Sequence, residues 1–118
     1  MLVILFPEAV MTDKIVVFTT CANQEEADRI ARHLVERRLA ACVTVVAQVH
    51  SIYRWKGAVE DSTEWLLIVK SRRGLVERLS AEISSLHSYQ VPEVVALPVI
   101  DGAPAYLNWL EHELSHEE

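Results

Sequence analysis

Apolar positions change period along this chain, from the twofold alternation of strands to the three-to-four spacing of helices and back. Ile15-Val16-Val17-Phe18-Thr19-Thr20 is rich in β-branched and aromatic residues and predicts a strand. Asn23 followed by Glu26 has capping-box spacing, and Gln24, Glu25 and Asp28 add polar or acidic character where a helix dipole favours it. The stripe Ala27, Ile30, Ala31, Leu34 and Val35 then predicts a helix, with Arg37 and Arg38 near its C-terminal end. Cys42 to Tyr53 holds four valines and an isoleucine with no glycine or proline, a long second strand. Trp55-Lys56-Gly57 turns the chain, and Thr63 to Ser71 reads as a third strand in which Trp65, Leu67 and Val69 alternate with Glu64, Leu66, Ile68 and Lys70. Leu75, Val76, Leu79, Ile83 and Leu86 form a second helical stripe. Val91 to Ile100 is the fourth strand, with Pro92 near its start. Pro104 opens a last helix, with Tyr106, Leu107, Leu110 and Leu114 on one face.

The resulting order, βαββαβ plus a terminal helix, is that of an α+β, ferredoxin-like sandwich with a long hairpin between its second and third strands. Two helices cover one face of such a sheet. The strands carry apolar residues on both faces, Val16 and Phe18 against Ile15 and Val17, and Val95 and Leu97 against Val94 and Ala96. A single helical layer leaves several of these in water, so self-association with cyclic symmetry is expected.

Composition narrows the function more than the fold. The 118 residues suit one domain able to bury roughly two-thirds of its unfolded surface. A hydrophobic fraction of 51% with 24% charged residues is that of a globular protein. Seventeen acidic residues against 11 basic ones give a net charge of −6, which leaves no cationic surplus for a phosphate backbone, so nucleic-acid binding is not expected. Two cysteines, Cys21 and Cys42, are too few for a disulfide framework, and a reducing cytoplasm is the default compartment. The apolar start Met1-Leu2-Val3-Ile4-Leu5-Phe6 lacks a basic flank and a small-residue cleavage site and is cut short by Pro7 and Glu8, so it reads as neither a signal peptide nor a membrane span. A second methionine, Met11, stands just before the first strand. Residues 1–13 are expected to be a poorly ordered extension, and residues 14–118 one domain.

Six segments together resemble the CutA divalent-cation-tolerance family: Thr19-Thr20-Cys21, Leu39-Ala40-Ala41-Cys42, Ser51-Ile52-Tyr53-Arg54-Trp55, Glu64 to Lys70, His87-Ser88-Tyr89-Gln90-Val91-Pro92-Glu93 and Tyr106-Leu107-Asn108-Trp109-Leu110. They occur in the family's order over about Lys14 to Leu114. The resemblance implies a homotrimer whose neighbouring hairpins pair, tolerance to divalent cations and copper in particular, and a likeness to the PII signalling trimers. It also implies a copper site in which bacterial relatives combine a strand cysteine with two adjacent histidines before a Tyr-x-x-Pro-Glu segment. Here Leu86 stands where the first histidine is expected and only His87 remains. Thr19 occupies the place of the bacterial cysteine, and Cys21 lies two residues on, which in a regular strand is the same face.

Cys21 and His87 are accordingly the candidate metal ligands. A thiolate between a strand end and a helix start suits a soft ion such as Cu(I), while the alternative is a small buried hydrophobe. For His87 the alternative is a histidine capping helix-end carbonyls. Cys42 reads as a packed thiol, and the spacing of His112 and His116 allows chelation but falls at a chain end that frays. His33 and His50 have no partner in the sequence pattern. Tyr53, Trp55, Lys70, Tyr89 and Glu93 form a polar and aromatic set at strand ends, readable as an intersubunit pocket or as a structural ion pair of Lys70 with Glu93. No Gly-rich phosphate loop, Gly-x-Ser-x-Gly elbow or His-Glu-x-x-His helix is present, so catalysis is not expected; no cofactor is obligatory, and copper or another divalent cation is the ligand the resemblance allows.

Overall fold

A computed structural model describes residues 12–117. Its elements are β1 (Lys14–Cys21), α1 (Gln24–Glu36), β2 (Cys42–Trp55), β3 (Ala58–Arg72), a 3-10 turn at Arg73–Leu75, α2 (Val76–Leu86), β4 (Val95–Pro98) and α3 (Pro104–Glu113). The four strands form one antiparallel sheet in the order β2-β3-β1-β4. β1 is therefore interior: it pairs β3 from Lys14 opposite Arg72 to Cys21 opposite Trp65, and β4 from Ile15 opposite Pro98 to Phe18 opposite Val95.

Strand alternation assigns the two faces. Ile15, Val17, Thr19 and Cys21 of β1 are buried, as are Leu67 and Val69 of β3. They face α1, which contributes Ala27, Ile30, Ala31 and Leu34, and α2, which contributes Leu79 and Ile83. Each such leucine or isoleucine stabilises the fold by about 1.5–3 kcal/mol on burial. The opposite face carries Val16, Phe18, Leu66 and Ile68, all half-buried, with Val46, Val95 and Leu97 exposed beside them. α3 reaches only one end of it. There Glu111 pairs with Lys14, the Tyr106 ring lies 5.8 Å from the Lys70 ammonium, and Arg72 Nε donates to the Ser115 carbonyl at 2.8 Å.

Two irregularities shape the hairpin. Val46 opposes Leu66 but Val49 opposes Glu64, so Ala47 and Gln48 together face Trp65 in a β-bulge, with Gln48 at φ 59°. The extra residue inverts the alternation of β2, and beyond it Ser51, Tyr53 and Trp55 share the face of Glu64. The hairpin closes through Lys56 (φ 50°) and Gly57 (φ 83°) between paired Trp55 and Ala58, both central residues left-handed as a type I′ turn requires. β3 thus starts at Ala58, five residues earlier than its apolar pattern predicts, because strand pairing carries the polar run Glu60-Asp61-Ser62 into the ladder. β4 is shorter than predicted. Val91 to Val94 lie outside it, and Pro92 has no amide to donate to a ladder.

Residues 1–11, most of the expected N-terminal extension, lie outside the described residues. Thr12 and Asp13 are tied to the domain: Thr12 Oγ1 donates to the Val99 carbonyl at 2.6 Å, and the Arg73 amide donates to that of Asp13 at 2.7 Å.

Candidate functional site

The end of β1, the start of α1 and the end of α2 converge at one corner of the helical layer. Cys21 is the last residue of β1, Asn23 caps α1 by accepting the Glu26 amide at 2.8 Å, and His87 terminates α2. Glu26 was expected to complete the capping box at Asn23. Its side chain instead turns back to accept the Ala22 amide at 3.4 Å on Oε1 and the Ser88 amide at 3.0 Å on Oε2. One carboxylate thereby ties the β1–α1 connection to the segment following α2.

This convergence brings Cys21 and His87 together and adds Glu26 to them. Sγ of Cys21 lies 3.9 Å from Nε2 of His87, Nδ1 of His87 lies 3.8 Å from Glu26 Oε1, and one ligand atom from each of the three falls within 4.8 Å of the others. All three side chains are buried. The imidazole is fully engaged: Nδ1 accepts the Tyr89 amide at 3.1 Å and Nε2 contacts the Thr20 carbonyl at 2.7 Å, which assigns the ring proton to Nε2. Burial, and then the negative charges of Glu26 and Glu64, push the Cys21 thiol up to about 12. Burial also pushes the Glu26 carboxyl upward, but the hydrogen bonds from Ser88 and Ala22 outweigh it and hold the group below its ordinary value.

The donor set fits a soft or borderline cation. A thiol, an imidazole nitrogen 3.9 Å from it and a carboxylate are the donor types that would hold an ion such as copper or zinc. Cys21 would have to give up its proton to hold such an ion, and the carboxylates that oppose a bare thiolate would favour a cation in the proton's place. Binding at Nε2 would cost the 2.7 Å hydrogen bond to the Thr20 carbonyl, while Nδ1 already accepts the Tyr89 amide.

The second candidate set is only partly assembled. Tyr53, Trp55, Tyr89 and Glu93 line a groove of about 770 Å³ on the sheet's other face, together with Glu64. Tyr89 Oη donates to Glu64 Oε2 at 2.7 Å, and burial followed by that bond raises the phenol. Burial and the Glu64 charge raise Glu93. Lys70 lies apart from this group, over Tyr106, and makes no ion pair with Glu93. The groove and the thiol–imidazole corner meet at Thr20, Ser88 and Tyr89, whose side chains line the first while their backbone groups bond the second.

The remaining candidates stand elsewhere. Cys42 is a free, half-buried thiol opposite Lys70. His33 meets Glu82 at 3.0 Å between α1 and α2, His50 is 3.6 Å from Asp61, and His116 is 3.3 Å from Glu111. His112 and His116 belong to no metal-ligand cluster among the described residues. Glu26 and Glu64 were not singled out from the sequence as site residues. Glu26 had been absorbed by its capping spacing, and Glu64 read as one polar position in an alternating strand.

An α+β domain with a four-stranded antiparallel sheet, three helices and a buried cysteine, histidine and glutamate at one corner is the class of protein these observations define. The family model of the CutA1 divalent ion tolerance protein matches residues 15–113, and the chain belongs to that family. It is 48% identical over 93 residues to Protein CutA of Mus musculus, an alignment covering 79% of this chain and 52% of that one. The divalent-cation tolerance protein CutA of Thermus thermophilus is 47% identical over 95 residues, covering 80% of this chain and 92% of that one. The crystal structure of CutA1 from Oryza sativa superposes with a TM-score of 0.87 at 38% identity, covering 92% of this chain and 99% of the other. The chain spans about half the length of the mouse relative. The names of the family and of the Thermus relative describe tolerance to divalent ions rather than a reaction.

Proposed function

We propose that this CutA-family protein acts in the response to metal ions by binding copper, or another soft divalent or monovalent cation, through Cys21 and His87. Glu26 would balance the charge of the bound cation. The observation that carries this reading is the placement of three donor side chains, from three separate segments, within 4.8 Å of one another in a buried corner. Titration of Cu(I) against a competing chelator, with the natural chain and Cys21→Ala, tests it: the variant, stripped of its soft thiolate donor, should bind at least about tenfold more weakly, a loss of about 1.4 kcal/mol. Equal affinity removes Cys21 from the site.

The working form on this reading is a homotrimer of ferredoxin-like subunits with paired hairpins. The half-open sheet face, where Val46, Val95 and Leu97 are exposed, and the exposed Val59 of the hairpin (65%) support association. Sedimentation should find a species of about 40 kDa, three times the 13.4 kDa chain. Free Cys21 and Cys42 favour a reducing compartment, the cytoplasm. No helix among the described residues is long and apolar enough to cross a membrane.

A second reading, a PII-like signalling or scaffold trimer, is favoured by the groove at Tyr53, Trp55, Tyr89 and Glu93, whose size suits a small metabolite. A ligand bound there raises the thermal midpoint in proportion to the logarithm of its concentration.

A further inference from the structure

We propose that the groove takes an organic cation: an ammonium or guanidinium group carried on an apolar body. This rests on the second reading above, that the groove holds a small molecule, and names its chemistry.

The groove has two kinds of wall. Tyr53 and Trp55 leave 43% and 42% of their surface exposed, and with Tyr89 and Val91 they make one side aromatic and apolar. Glu64 and Glu93 make the other side acidic, and neither carboxylate has an ion-pair partner among the described residues. Glu64 is 6% exposed, so its charge acts through a poorly screened path. Its Oε2 is fixed by the Tyr89 hydroxyl at 2.7 Å, which locks the carboxylate in place and presents the Tyr89 ring beside it.

Aromatic faces and unpaired carboxylates attract the same group, a positive charge with a weakly hydrated organic surround. An anion meets two like charges there. A bare Mg²⁺ or Ca²⁺ asks for six or more oxygen ligands, which rings and a valine do not supply. The hairpin register builds this pairing, since Tyr53 opposite Glu60 and Trp55 opposite Ala58 fall on the Glu64 face.

The test is a charge series on one body: phenethylammonium, phenethyl alcohol and phenylacetate, titrated into the full chain and followed by backbone amide NMR shifts around residues 51–55 and 88–93. Probes of about nine heavy atoms bind such a groove in the millimolar range at ordinary ligand efficiency. The ammonium should bind about tenfold tighter than the alcohol, with phenylacetate weakest. Glu93→Gln should weaken the ammonium about three- to fivefold and leave the alcohol unchanged. Two outcomes overturn the cation assignment while leaving a small-molecule groove in place: the alcohol or phenylacetate binding as tightly as the ammonium, or an ammonium affinity indifferent to Glu93→Gln. If none of the three shifts these amides at about 10 mM, a level above the expected millimolar dissociation constants, the cation assignment and the reading beneath it both fall.

Discussion

Replacing Glu26 by glutamine removes one of the two oxygens that together accept the Ala22 amide at 3.4 Å and the Ser88 amide at 3.0 Å. The side chain is buried, so water does not substitute for the lost acceptor. A glutamine supplies one carbonyl oxygen and sets its NH₂ against the other N–H, leaving a buried donor unsatisfied. Such an orphan costs about 1–3 kcal/mol, and the surviving bond loses its charge assistance, while relief of carboxylate desolvation offsets part of this. The expected net loss is about 2 kcal/mol, or about 8 °C in Tm for a 118-residue chain. Urea denaturation at one fixed protein concentration, which holds any association constant, measures it at pH 7. The pH dependence supplies an internal control. Glu26 is held below its ordinary value in the folded chain, so its stabilisation is complete above the unfolded carboxyl value of about 4.3 and fades as pH falls through the lower folded value. The gap between the natural chain and Glu26→Gln should therefore narrow in acid. A variant within about 0.5 kcal/mol of the natural chain at pH 7, the scatter of ordinary surface substitutions, would refute the claim that this carboxylate ties the corner together.

Other perturbations separate the parts of the structure. In a Cys42→Ala background, native Cys21 should react with iodoacetamide at pH 8 roughly a thousandfold more slowly than a free thiol, since a thiol pushed up to about 12 is almost wholly protonated there; labelling at the free-thiol rate would contradict its burial. Gly57→Ala should destabilise by about 1 kcal/mol in urea, because the added Cβ meets open space and the φ of 83° alone sets the penalty. Deleting Gln48 should remove the bulge and leave Ala47 alone opposite Trp65 with the outer register intact, so cross-strand nuclear Overhauser contacts between Tyr53 and Glu60 persist; their loss would show that the hairpin pairing depends on the extra residue.

How far these features were legible in the residues follows from what kind of signal each leaves. β1, α1 and α2 announce themselves because their buried residues fall at strand or helix period, from Ile15, Val17, Thr19 and Cys21 to Leu79 and Ile83. The start of β3 does not, because Ala58 to Ser62 pair through backbone while their side chains stay mostly in solvent. Cys21 and His87 stand out through their resemblance to a known pattern, and the packing of α1 beside α2 supplies the proximity that a sequence separation of 66 conceals. Glu26 escaped notice because one glutamate has two oxygens and capping spacing accounts for the residue without the second. Lys70 was grouped with Glu93 on residue type. Within one chain it shares the sheet face of Glu64 but stands six positions along β3, about 20 Å at strand rise, beyond ion-pair reach of that end, so the pairing is one only a neighbouring subunit could supply. Short-range spacing thus conveys the elements, while strand register and the helix ends decide which side chains meet.

X-ray absorption at the copper edge, recorded on the full chain loaded with one equivalent of Cu(I), examines the metal corner most directly. The expected spectrum has one sulfur near the thiolate distance of roughly 2.3 Å with nitrogen or oxygen neighbours at about 2.0 Å, unchanged in Cys42→Ala and stripped of its sulfur shell in Cys21→Ala. A coordination shell without sulfur in the natural chain, or one that loses its sulfur with Cys42 rather than Cys21, would contradict a copper site at Cys21 and His87.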